Sequence, residues 1–312
     1  MSARRSLLPF CLGTLFFFGC LLFAAVAADP FGAVRRGGEV LLSAAGARVE
    51  LFRGRDGTRL RALALGPPSA ARPVVLLHGL GADATYWTFA ARALAKRGRT
   101  VYILDGPGSG QSETPATPAG YGVPARVDAL DAMADALGLE TFDLVGHSLG
   151  GWTAAAYAIA HPHRIARLVL VDAAGFSPVR AEDEAATRAR LVPSDRAAAR
   201  GLWDLLFFRK PVPSAGFVLD AVGRNYGSGT PAATIESIRE EDLLLDHESE
   251  LPGGTVLIWG EKETLFPLAE ARRAAAKIPG ARLLVLTGVG HDGPIEAPRV
   301  FQQALFDALG MR

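Results

Sequence analysis

The chain opens with one uncharged apolar run, residues 6–28, and after it the hydrophobic positions fall into short blocks of two kinds. The continuous apolar block at 74–77 predicts a strand buried on both faces of a sheet, and 100–104, 142–145, 167–171, 255–259 and 282–286 read as further strands. Between them, segments 84–97, 123–137, 149–160, 268–277 and 298–309 carry apolar residues at helical spacing; Val127, Leu130, Ala134 and Leu137 mark one such face, with Gly138 as its stop. Two further β-like runs, 47–52 and 58–65, are joined by a turn at 54–57. The strand–helix alternation predicts an α/β fold with a mostly parallel sheet and helices on both faces. The alternation breaks over 176–250, a helix-like, charge-bearing stretch that reads as an inserted subdomain. Ligands of such sheets bind beyond the C-terminal ends of the strands.

The leading run changes the picture of where the protein works. Arg4 and Arg5 precede it, and Ala25, Ala27 and Ala28 close it with small residues. Residues 1–28 therefore read as a secretory signal or as an uncleaved membrane anchor, because at about 1.5 Å per residue the run is long enough to span a bilayer core of about 30 Å. Both readings place residues 29–312 outside the cytoplasm, with Arg4 and Arg5 left inside. An uncleaved segment makes the membrane a partner.

Composition removes several functions. A net charge of +1 offers no broad basic surface, so nucleic acid is not an expected partner. Cys11 and Cys20 both lie in the leading run. The remaining domain therefore has no disulfide framework, Cys-ligated metal or cysteine nucleophile. No metal and no organic cofactor is expected.

Candidate chemistry sits at the strand ends. Gly146-His147-Ser148-Leu149-Gly150 is G-x-S-x-G between a predicted strand and a predicted helix, the context of a nucleophile elbow. A serine hydroxyl needs a base. His291, in Gly288-Val-Gly-His291 just after the last strand, is the candidate; His147 is read as facing away from the nucleophile. The base needs an acid to hold its tautomer. Glu263, after the strand at 255–259, is the candidate, with Glu261 in the same turn and Asp172 after the preceding strand as rivals. An oxyanion needs preorganised N–H donors. Those of Leu149, after the serine, and Leu80, in His78-Gly79-Leu80-Gly81, are the candidates, with Gly79 allowing close approach of substrate. In the insertion, Trp203 and Phe207 belong to the apolar stretch 201–210, which reads as the roof of an acyl pocket, as a segment dipping into a membrane interface, or as the insertion's own packing core.

Taken together, His78-Gly-Leu-Gly81, Asp105-Gly-Pro-Gly-Ser-Gly-Gln-Ser112, Gly146-His-Ser148-Leu-Gly-Gly151, Trp259-Gly-Glu-Lys-Glu263 and Gly290-His291 with Glu296-Ala-Pro298 resemble the α/β-hydrolase fold-1 family over about residues 48–310. The resemblance implies that 176–250 is a cap over the active site. The family usually has Asp where Glu263 stands. It includes esterases, lipases, C–C bond hydrolases and acyltransferases; its epoxide hydrolases and dehalogenases use an Asp nucleophile, which Ser148 does not match. An N-terminal membrane segment ahead of such a domain is similar to membrane-bound and exported lipases of the family. The expected reaction is hydrolysis of a small carboxylic ester with an apolar part by a Ser-His-Glu triad through an acyl-enzyme. C–C bond hydrolysis or acyl transfer on the same triad, and a non-catalytic ligand-binding homologue, are the alternatives.

Overall fold

The computed structural model describes residues 26–68, 71–177 and 184–311. Most of the apolar leading run therefore lies outside the described residues. Among the described residues no helix is long and apolar enough to cross a membrane.

Among the described residues eight strands form one sheet: β1 (Arg48–Arg53), β2 (Arg59–Leu65), β3 (Val74–Leu77), β4 (Val101–Asp105), β5 (Phe142–His147), β6 (Ile165–Val171), β7 (Val256–Gly260) and β8 (Arg282–Leu286). Their order across the sheet is β1-β2-β4-β3-β5-β6-β7-β8. Strands β1 and β2 form an antiparallel hairpin, and β2 runs antiparallel to β4. The remaining neighbours are parallel. The predicted α/β fold is borne out.

The period of two within each strand divides the core. Val75, Leu77, Leu144, Leu168, Leu170, Leu257 and Trp259 face one side. There they meet α3 (Val123–Ala136), α4 (Leu149–Ala160) and α9 (Leu268–Lys277) through Leu130, Met133, Trp152, Tyr157 and Ala271. Val74, Leu76, Val145, Val169, Val171, Val256 and Ile258 face the other. There they meet α2 (Thr88–Lys96) and α11 (Pro298–Ala308) through Leu94, Phe301 and Leu305. Such alternation on a doubly covered strand explains why the 74–77 block is continuous rather than half polar.

Residues 29–46 carried no predicted element, yet α1 (Pro30–Ala44) is a full helix. Its start is well specified: the Asp29 side chain accepts the Gly32 N–H at 2.8 Å and Pro30 occupies the first turn. Gly32, Gly37 and Gly38 dilute the helical pattern. Gly38 is needed because a Cβ there would lie 2.7 Å from Thr85 Cβ. Glu39 anchors the helix to the sheet by two 2.8 Å bonds from the Arg61 guanidinium, which also reaches buried Asp105 at 3.0 Å. The predicted helix at 84–97 divides: Ala84–Trp87 is a 3₁₀ turn capped by Asp83, and α2 follows.

Between β6 and β7 lie α5 (Glu184–Leu191), α6 (Arg196–Leu206), α7 (Gly216–Tyr226) and α8 (Gly229–Ser237). Leu202, Trp203, Phe207, Leu219, Val222 and Tyr226 give this segment a small core of its own, against which Phe31 of α1 and Leu80 pack. The short α10 (Gly293–Glu296) precedes α11.

Candidate active site

Ser148 stands between β5 and α4 with φ 53° and ψ −120°, a left-handed conformation that costs a non-glycine residue free energy. Close packing imposes it. A Cβ on Gly146 would lie 2.1 Å from Gly150 O, and one on Gly150 would lie 2.4 Å from Leu77 O, so the two glycines of G-x-S-x-G let the turn close. The Ser148 N–H donates to Val171 O at 2.9 Å, and its carbonyl accepts from Trp152 and Ala174 at 3.0 and 3.1 Å. The serine thus sits at the N-terminal end of α4, where the helix dipole favours developing negative charge.

His291 and Glu263 meet because β7 and β8 are parallel neighbours and their C-terminal loops are tied together. Glu261 N–H donates to Leu286 O at 3.0 Å and Lys262 N–H to Val289 O at 2.8 Å. His291 Nδ1 donates to Glu263 Oε2. Glu263 Oε1 accepts the N–H groups of Leu265 and Phe266, the latter at 3.1 Å. The whole pair is buried. Burial alone would lower the His291 pKa, but the Glu263 carboxylate outweighs it and holds the pKa up at about 9. The rival Glu261 is spent elsewhere: its carboxylate is half-exposed and accepts the Gly288 N–H at 2.8 Å. Asp172 does reach this site. It is fully buried, with Oδ1 accepting the Gly260 N–H at 2.8 Å. Burial, and then the Glu263 carboxylate, push its pKa well above the usual carboxylate range.

His147 does not face away. Its ring lies 4.8 Å from the His291 ring, and its Nε2 donates to the His291 carbonyl at 3.0 Å. The Tyr86 ring stacks on His147 at 4.9 Å, and Tyr86 Oη donates to Asp292 Oδ1 at 3.0 Å. Burial, and then the charge of His291, hold His147 well below the ordinary histidine pKa, so it is a neutral ring packed against His291. Sequence reading missed Tyr86 and Asp292, because 206 residues separate them.

A cavity of about 590 Å³, lined largely by apolar side chains, opens over these groups. That volume suits a small-molecule site. Ser148, His147, His291 and Asp292 form its floor, with Gly79, Leu80 and Leu149 beside the serine. Trp203 and Phe207 line it from above while also packing within the insertion, their rings 4.5 Å apart. The 201–210 stretch thus packs within the insertion and also borders the cavity. Phe31 and Val34 bring α1 into one wall, which sequence reading did not foresee. Glu296 accounts for the Glu296-Ala-Pro298 motif. It accepts the N–H groups of Phe208 (3.2 Å), Arg209 (2.9 Å) and Gly290 (3.1 Å), joining the insertion to the loop that carries His291.

The chain is similar to known proteins. A family model described as the alpha/beta hydrolase fold matches residues 72–200. A RutD protein of Caulobacter sp. (strain K31), named for carbamate hydrolysis, is 30% identical over 250 residues, covering 78% of this chain and 92% of its own. A 2-hydroxy-6-oxononadienedioate/2-hydroxy-6-oxononatrienedioate hydrolase of Paraburkholderia phymatum is 28% identical over 282 residues, covering 81% and 92%. Among solved structures, one described as a membrane phospholipase A and bacterial virulence factor superposes with a TM-score of 0.76 at 26% identity, covering 99% of this chain and 98% of that one.

Proposed function

Given that the chain belongs to the α/β-hydrolase family, we propose that it is an exported hydrolase of carboxylic esters with an apolar part, working through Ser148, His291 and Glu263. One observation carries this reading: Ser148 at its strained elbow and His291, bonded from behind by Glu263, line the same apolar cavity.

In this reading Ser148 Oγ attacks the ester carbonyl and His291 takes its proton. Glu263 holds Nδ1 protonated, so that Nε2 is free to act as base, and stabilises the imidazolium that forms. The N–H groups of Leu80 and Leu149 receive the oxyanion. His291 returns the proton to the departing alcohol, then activates the water that releases the acid. Trp203, Phe207 and Gly79 border the space taken by the acyl or alcohol chain.

The lining favours an ester over an acidic diketone. A diketone acid calls for cations, yet of the lining arginines Arg188 is paired with Glu236, Arg239 donates to the carbonyls of Glu236 and Ile238, and Arg35, half-exposed, lies 3.9 Å from Asp83. Residues 1–28 would export the domain or hold it on a membrane, consistent with an amphiphilic substrate. N-terminal sequencing of the mature protein distinguishes a cleaved from a retained segment.

The test is a panel of p-nitrophenyl esters of rising chain length, assayed with wild type and Ser148→Ala. Hydrolysis that rises with chain length and vanishes in the variant is expected. Equal inertness of both proteins across the panel overturns the reading.

A further inference from the structure

We infer that Asp292 and Tyr226 form a polar subsite in the wall of the cavity that takes a free hydroxyl on the alcohol part of the ester. The preferred substrate class is then an ester of a polyhydric alcohol with an apolar acyl chain. The inference rests on the ester-hydrolase reading above and deepens it.

Asp292 follows the candidate base and stands at the N-cap of α10, yet its side chain makes no capping bond. It lines the cavity instead, 7% exposed, with Oδ1 accepting from Tyr86 Oη at 3.0 Å. Among the described residues nothing donates to Oδ2. That atom is not sealed in the protein as Asp172 Oδ2 is, so it opens on the cavity. Tyr226, the last residue of α7, is 9% exposed and lines the same cavity. Its ring lies against the loop that carries Leu80: a Cβ on Gly81 would stand 2.6 Å from Tyr226 Cζ, and Asn225 Nδ2 donates to Gly81 O at 2.9 Å. Phe31 meets the ring edge-on at 6.5 Å. Tyr226 Oη has no hydrogen-bond partner among the described residues, and it too opens on the cavity. One group therefore adjoins the base and the other the oxyanion loop.

Polar atoms of side chains more than nine-tenths buried are costly without partners, and a ligand that supplies the partners accounts for them. Their chemistry selects that ligand. Burial raises the Asp292 pKa to about 6, which leaves a carboxylate acceptor at neutral pH. Burial, and then the Asp292 charge, hold Tyr226 above the ordinary tyrosine range, so its hydroxyl keeps a proton to donate. A substrate hydroxyl answers both: its O–H donates to Asp292 Oδ2 and its oxygen accepts from Tyr226 Oη. A quaternary ammonium has no proton for the carboxylate and no lone pair for the phenol. A substrate carboxylate is repelled by Asp292, and an apolar chain leaves both groups unpaired. The placement fits the alcohol part, since the departing alcohol takes its proton from His291, the neighbour of Asp292. Trp203, Leu206 and Phe207 leave an apolar lining for the acyl chain.

The test compares 2-hydroxyethyl decanoate with ethyl decanoate, two esters that differ by one hydroxyl, on wild type, Tyr226→Phe and Asp292→Asn. The readout is the ratio of their kcat/KM values, followed by acid release. Wild type is expected to prefer the hydroxyl-bearing ester by about tenfold or more, and each variant to lose most of that preference. A role confined to packing lowers both esters alike and leaves the ratio where it was. Tyr226→Phe keeps the ring and removes only the hydroxyl, so it carries the test if melting shows that Asp292→Asn does not fold. Choline decanoate and its uncharged isostere 3,3-dimethylbutyl decanoate complete the set. A choline preference larger than the hydroxyl preference assigns the subsite to a cation and overturns the inference. A ratio near one in an active wild type, or a ratio unmoved in Tyr226→Phe, overturns it while the hydrolase reading stands. Wild type as inert as Ser148→Ala on all four esters overturns the hydrolase reading and the inference with it.

Discussion

The imidazole of His147 lies against that of His291, ring centroids 4.8 Å apart, and its Nε2 donates to the His291 backbone carbonyl at 3.0 Å. The residue preceding the candidate nucleophile thus supports the candidate base, and the two loops that carry them are joined behind the chemistry. Rings clamped in this way lose little orientational freedom when substrate arrives. Tyr86 completes the clamp by stacking on His147 and bonding Asp292.

Tyr86→Phe is expected to destabilise the fold by about 1–3 kcal/mol, since it leaves buried Asp292 without its hydroxyl donor. Burial already raises the Asp292 pKa to about 6, and the Tyr86 bond opposes that rise by favouring the charged form. The loss must therefore be larger when Asp292 is ionised. Melting temperatures at pH 5 and pH 8 check the sign: the gap between variant and wild type should widen at the higher pH.

Ester hydrolysis should depend on pH through His291. Its pKa of about 9 in the free protein leaves most molecules protonated at neutral pH, and only the neutral form accepts the serine proton. The kcat/KM value is expected to rise roughly tenfold per pH unit between pH 6 and 8 and to level off near 9. A profile already flat from pH 7 upward would contradict the support assigned to Glu263.

Gly79→Ala places a Cβ about 3.1 Å from Ser148 Cβ and 3.0 Å from His147 Nδ1. Neighbours must shift by a few tenths of an ångström, at the position where geometry matters most. A loss of about 10²-fold in kcat with an unchanged circular-dichroism spectrum is expected. Full activity would show that the loop is not held against the nucleophile.

Glu296→Ala removes the acceptor that joins Phe208 and Arg209 of the insertion to Gly290. Bonds to a charged acceptor contribute about 1.5–3 kcal/mol, so the variant should melt lower and its 208–215 segment should be cut faster by protease. Identical cleavage rates would show that the segment is held by its apolar packing instead.

Much of this protein was legible along the chain. The continuous apolar block at 74–77 identified a central strand of the parallel sheet because that strand is buried on both faces. G-x-S-x-G marked the elbow because steric closure of the turn admits only glycine at Gly146 and Gly150. Helix α1 escaped notice because three glycines dilute its pattern; its support comes from the Asp29 cap and the Glu39–Arg61 tie across the fold. The sequence by itself determined the fold class and the candidate serine and histidine, all encoded by local periodicity and by motifs a few residues long. Only the tertiary structure decided which carboxylate bonds His291, that His147 packs beneath the base, and that α1 walls the cavity. These depend on which strand ends become neighbours in the sheet, and residues far apart in sequence carry no local sign of that meeting.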